Sequence, residues 1–238
     1  VEVEPDRAGR ECGPGCRQIS FGMSSAHRIH VDQDYVAYRG IIEEESTTGI
    51  FVIRLSAMNE LRLDYCVDRH CGLPAMFGDT IFYNAAQRGE PLLTTVWSYR
   101  LGESLRRPLF RRLNTDFGRG LSYLIASESH LTWMDSSIPE DGLYLTDRNT
   151  LEIRSIVERN CLCYDMPILR GGRIVYEGRF DGPRDIWLYD IASGETENLI
   201  DHPLQQFEPS FDGQWVVWAD GRNDSSREPY WDRVNPDI

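Results

Sequence analysis

Five polar residues stand near the ends of short apolar runs: Arg39, Asn84, Asp135, Glu177 and Asp220. Three of them are carboxylic acids, and a pair of carboxylates can do general acid–base work on a glycosidic bond. No hydrolase signature surrounds them, so all five are read as binding candidates and none as catalytic. The five histidines, His27, His30, His70, His130 and His202, are scattered and lie outside any G-x-S-x-G turn. His130 adjoins an apolar residue on an expected strand and is read as a surface or satisfied core histidine. Gly118 and Gly120 lack the strand–loop–helix setting that cradles phosphate.

Six cysteines fall in three local pairs, Cys12 with Cys16, Cys66 with Cys71, and Cys161 with Cys163. An even count in loop-like stretches points to an oxidising compartment and to disulfides. The first two pairs fit small loops. The third would close an unusually tight ring, which leaves a longer-range partner open. Cys66, His70 and Cys71 miss the four-ligand spacing of structural zinc. Two matching acidic turns, with Asp181 and Asp185 in one and Asp220 and Asp224 in the other, are weak calcium candidates without the ligand series of an EF-hand. Otherwise no cofactor is expected.

The chain has 238 residues and a net charge of −13, which repels phosphate and argues against nucleic-acid binding. Its 25 basic residues are all Arg, so Schiff-base and P-loop chemistry, which need Lys, are excluded. No apolar run approaches the ~18 residues that span a bilayer, so no membrane insertion is expected. No signal peptide is visible, and the chain opens on Val1, as expected of a mature form or a fragment, which leaves room for a signal segment removed earlier.

The elements that must position these residues repeat. The phrases Asp34–Tyr38, Asp79–Tyr83, Ser129–Trp133, Gly172–Tyr176 and Gln214–Trp218 are alternating runs closed by an aromatic residue. The closing aromatics step by 45, 50, 43 and 42 residues. A period of ~40–50 residues built from strands indicates a propeller or similar array. A second strand follows at Ile50–Leu55, Val96–Leu101, Leu143–Asp147 and Ile186–Ile191. A third follows at Leu61–Leu63, Leu105–Leu109, Leu151–Ile156 and Thr196–Ile200. A more variable fourth element and a loop, often with Pro (Pro74, Pro167, Pro209), lead to the next unit. The basic run Arg106–Arg112 then reads as a solvated strand edge. Trp133, Tyr176, Trp187, Trp215 and Trp218 sit at repeat-matched positions and are read as core between sheets, as are Trp97 and Trp231.

These patterns predict an all-β, five-bladed β-propeller in a single domain over residues 1–238. The units are 29–63, 73–109, 121–156, 167–200, and 209–238 completed by 1–20. The first strand of each blade, taken as the aromatic-ended run, would line a channel with the five polar residues at its mouth. Pairing of the two chain ends would close the ring and remove exposed sheet edges.

Asp185–Thr196 resembles the DIWLYDLATGE segment of TolB-like propeller repeats, also called PD40 or WD40-like repeats. Phe207–Arg222 resembles their P-x-x-S-P-D-G-x-x-I-V-F segment, with Phe211 where the family has Pro. The match is close over about residues 166–223 and pattern-level before that. The best-known relatives have six blades, against five units here. The resemblance implies a secreted, periplasmic or cell-surface protein that binds other proteins. The chain is therefore expected to be a non-catalytic binding or scaffold module, partnered by other protein subunits of an extracellular or periplasmic assembly. The alternative is a carbohydrate-active protein, a lectin or glycoside hydrolase, working at the channel mouth.

Overall fold

A computed structural model describes residues 25–42, 47–57, 59–66, 71–87, 90–113, 121–135, 142–158, 167–180, 183–200 and 202–221. All regular structure among them is antiparallel β. Sheet A runs β1 (Ser25–Asp32), β2 (Tyr35–Ile42), β3 (Thr47–Arg54), β4 (Asn59–Cys66) in spatial order. Sheet B repeats this with β5 (Ala75–Phe77), β6 (Thr80–Gln87), β7 (Glu90–Arg100) and β8 (Arg107–Leu113). Sheet C holds β9 (Leu121–Ala126), β10 (His130–Asp135), β11 (Gly142–Asp147) and β12 (Ile153–Glu158). Sheet D holds β13 (Ile168–Arg170), β14 (Arg173–Gly178), β15 (Asp185–Asp190) and β16 (Thr196–Asn198). Sheet E pairs β17 (Gln206–Phe211) with β18 (Val216–Asp220).

The aromatic-ended runs are β2, β6, β10, β14 and β18, and each is the second strand of its sheet, not the first. A further strand, standing where the variable fourth element was expected, precedes each one: β1, β5, β9, β13 and β17. Two of these have three residues, too few to show a period of two. The segments 1–20, expected to complete the last unit, and Trp231 lie outside the described residues.

Alternation explains the packing, because successive side chains on a strand face opposite sides of the sheet. In β14, Ile174 and Tyr176 pack with Met134, Leu143 and Leu145 of sheet C. Val175 between them turns the other way and packs with Ile186 and Phe211. Phe211, in the place of the family's Pro, thus fills the layer between sheets D and E. Within sheets A and B, Ala37, Val52, Met76, Ile81 and Tyr83 form a second layer. Trp133, Tyr38, Tyr83 and Tyr176 are among the largest fully buried side chains. Each contributes roughly 4–6 kcal/mol of gross transfer free energy before entropy is counted. Trp187, Trp218 and Trp97 are partly buried against these layers. Trp215 departs from the expectation: it is 69% exposed, because it sits in the β17–β18 turn ahead of the strand.

The chain divides into two units, Val1–Arg111 and Arg112–Ile238. The first carries sheet A and sheet B as far as Arg111 of β8, and the second carries the last two residues of β8 and sheets C, D and E. Among the described residues no helix is long and apolar enough to cross a membrane.

Candidate functional site

The five polar residues lie on the second strands, at or just after the closing aromatic. Asn84, Asp135, Glu177 and Asp220 are all buried, at 5%, 0%, 1% and 9% exposure, and Arg39 is half-buried. A buried polar group needs a partner, since leaving it unpaired costs about 1–3 kcal/mol. The partners come from the segment that leads into a neighbouring sheet. In the first unit, Arg39 Nη1 donates to the Cys71 carbonyl at 3.1 Å. Cys71 forms a β-bridge with Ala85, and the Gly72 amide donates to the Asn84 carbonyl at 2.9 Å. Gly72 is required there: a Cβ would stand 1.8 Å from Asn84 Oδ1. Cys71 is buried and disulfide-bonded, while the side chains of the other five cysteines lie outside the described residues.

In the second unit, Glu177 accepts from Arg184 Nη1 at 2.9 Å and from the Glu208 amide of β17 at 3.2 Å. It therefore ties sheet D to sheet E. Asp135 accepts from Arg112 Nε at 3.1 Å, and the Arg112 guanidinium lies over the Trp133 and Tyr144 rings at 5.5 and 5.2 Å. Each of these two carboxylates is thus neutralised by its own arginine. Asp220 faces Gln206 across the β17–β18 ladder. Of the calcium candidates, Asp185 accepts from Asn198 Nδ2 at 3.4 Å, and Asp181 and Asp224 lie outside the described residues. Among the described residues no three His, Cys, Asp or Glu side chains are grouped to hold a metal.

A second polar cluster lies at the opposite end of β10. His130, Asp147, Glu152 and Arg154 line a cleft of about 170 Å³. The His130 Nδ1 shares a hydrogen bond with Ser129 Oγ at 2.8 Å, and its Nε2 stands 4.0 Å from Asp147 Oδ2. Asp147 Oδ1 accepts from the Asn149 and Thr150 amides at 2.7 and 2.9 Å. Those amides hold its carboxyl below the usual range, Thr150 first. Burial pushes the His130 pKa down, opposed by Asp147 and aided by Arg154. The sequence reading weighed His130 alone. Its register with Asp147, which matches that of Arg173 with Asp190 in sheet D, is the signal that picks it out.

The basic run at β8 is largely exposed, as expected of an edge. Arg106 lies 4.1 Å over the Trp97 ring and donates to Tyr83 Oη at 3.4 Å, and Arg107 pairs with Glu103.

No protein-family model matches the chain, and no curated protein matches it in sequence. Solved structures match it in fold. A prolyl endopeptidase superposes with a TM-score of 0.63 at 14% identity, over 82% of this chain and 32% of that one. The β-propeller domain of the Trilobed protease from Pyrococcus furiosus, described as having an open velcro topology, gives 0.61 at 12%, over 83% and 63%. TolB from Acinetobacter baumannii gives 0.53 at 16%, over 78% and 46%. At these identities the likeness establishes fold alone: the chain has a propeller-like, all-β fold. It spans about a third of the length of the prolyl endopeptidase and under half that of TolB.

Proposed function

We propose that this chain is a non-catalytic, extracytoplasmic propeller module that holds another protein subunit in a larger assembly through its loops. The observation that carries this reading is the use of its buried carboxylates. Asp135 and Glu177 are taken up by Arg112, Arg184 and a backbone amide, which suits a scaffold better than a hydrolase. A sheet stack held from within leaves its loops free to vary and to bind. The resemblance to TolB and to a protease's propeller domain supports a binding platform by analogy of fold. Local cysteine pairing and the disulfide-bonded Cys71 support an oxidising compartment. In the same reading the five sheets are five blades of a ring, closed where residues 1–20 join the last sheet.

The test is affinity purification of the intact protein from its native source after cross-linking, with glycan-array binding and glycosidase assays run alongside. A stoichiometric protein partner with no glycan binding and no turnover is the expected result. Turnover or glycan binding abolished by Glu177→Gln would overturn the proposal in favour of the carbohydrate-active alternative.

A further inference from the structure

The outer hairpin of sheet C differs from its counterpart in sheet D at two positions, and both differences weaken it. In sheet D, Arg173 at the start of β14 pairs with Asp190 at the end of β15 at 3.5 Å. Asp190 in turn accepts from the Ala192 and Ser193 amides, both at 3.0 Å. In sheet C the same register positions carry His130 and Asp147, 4.0 Å apart. An arginine is charged at every accessible pH, whereas a histidine changes charge between about pH 5 and 8. The turns also correspond. Gly194 donates to the Asp190 carbonyl and Leu151 to the Asp147 carbonyl, each at 2.9 Å. Both residues are left-handed, at φ +74° and +59°. The conformation suits glycine and strains leucine by about 1–2 kcal/mol.

Beside this hairpin, Arg154 Nη2 donates to the Ile191 carbonyl at 3.2 Å, a tie from sheet C to sheet D. Arg154 also lines the His130 cleft. The charged groups around the ring are Asp147 from β11, Arg148 from the turn, Glu152 and Arg154 at β12, and Glu128 from the β9–β10 turn. Arg148 is engaged with the Ser127 and Glu128 carbonyls.

We propose that His130 is a proton-operated joint between sheets C and D. When its ring is charged, it draws Asp147 off the β11–β12 turn and drives Arg154 from the Ile191 carbonyl. At 4.0 Å the neutral ring makes no hydrogen bond to the carboxylate, which stays on the turn amides. A charged Nε2–H bonds Oδ2 only if the carboxylate moves about 1 Å, which stretches the Asn149 and Thr150 caps. The same charge faces the Arg154 guanidinium across the cleft. The strained Leu151 lowers the cost of the turn's release.

The sign follows from linkage. The folded pKa of His130 lies below its free value of 6.5, so the unfolded chain binds the proton more readily. Stability is full above pH 6.5 and falls as pH drops through the lowered folded value. The experiment is thermal unfolding of the full chain from pH 7.5 to 5, for wild type, His130→Arg and His130→Asn, with two-dimensional NMR of wild type. The expected result is a Tm loss on acidification about 2–4 °C larger in wild type than in either variant. The Asn149, Thr150 and Ala192 amides should titrate with the midpoint of the His130 ring. Equal losses in all three proteins, or a ring that titrates without moving Ala192, would overturn it. Should His130→Arg fail to fold, His130→Asn and the NMR titration still decide.

Discussion

The two units of this molecule solve the same structural problems with opposite charges. At the outer end of the first unit's hairpins, the acid precedes the second strand and the arginine ends the third. These are Asp34 with Arg54 at 3.1 Å and Asp79 with Arg100 at 2.8 Å. In the second unit the cation starts the second strand and the acid ends the third, as Arg173 with Asp190 and His130 with Asp147. At the inner end the sign inverts as well. Arg39 reaches out to a carbonyl in the first unit, and Glu177 draws in an amide and an arginine in the second. What repeats is therefore a place in the ladder and a bond to be made there. The residue type that makes the bond is free to change sign, so a search by residue type finds candidate sites where the fold has ties.

The inner ties should separate the units most. Glu177 is 1% exposed, and removing one partner of a buried ion pair leaves the other charge unpaired. Glu177→Ala is expected to cost about 3–5 kcal/mol. Arg39 is only half-buried and bonds a neutral carbonyl, so Arg39→Ala should cost less, about 1.5–3 kcal/mol. Urea unfolding of the two variants measures both. Equal costs would show that burial does not set the difference between the units.

The sheets were legible from sequence because their second and third strands are long enough to alternate and each second strand carries a large aromatic that recurs at the repeat period. β14 and β15 are the clearest, as Ile174, Tyr176, Ile186 and Tyr189 all fall on the core. The first strands were not legible. β5 and β13 have three residues, and β17 carries Pro209 and a left-handed Glu208 that read as a loop. Trp215 was misplaced because it stands where Arg173 stands in sheet D, at the exposed approach to the strand. The polar positions of the site were readable, but their partners were not. Cys71 is 32 residues from Arg39, and Glu208 is 31 from Glu177. These two partners lie on the way into, or within, the next sheet, where local periodicity carries no information.

A smaller effect tests the comparison inside the second unit. A Cβ on Gly194 would meet nothing closer than Tyr189 Oη at 3.9 Å, so the cost of adding one is backbone strain alone. Gly194→Ala should lose about 1 kcal/mol. Leu151→Gly relieves the same strain but adds freedom to the unfolded chain, for a net gain of roughly 0.5 kcal/mol. Thermal unfolding reads both. A destabilised Leu151→Gly would mean that the leucine side chain packs well enough to outweigh its backbone.

The smallest effect bears on the charge reversal itself. Asp34 accepts from the Ser56 amide and hydroxyl, and Asp190 accepts from the Ala192 and Ser193 amides. In both hairpins, then, the acid caps the turn after the third strand, whichever strand supplies it. The Ser56 hydroxyl is the first cause that lowers the Asp34 carboxyl, and the Ser193 amide the first that lowers Asp190. Each folded value lies below 3.8, so each acid's contribution is present above pH 3.8 and is lost as pH falls through the lowered value. Asp34→Asn and Asp190→Asn should therefore lower stability modestly and to a similar degree at pH 7 and converge with wild type at low pH, which flattens the acid limb. Both groups are half-buried, and the capping bonds are short-ranged, so 1 M salt should leave that flattening in place. If only Asp190→Asn changed the acid limb, the cap would belong to the third strand alone. The two polarities would then be different devices, and the equivalence drawn between the units would fail at its outer end while holding at its inner one.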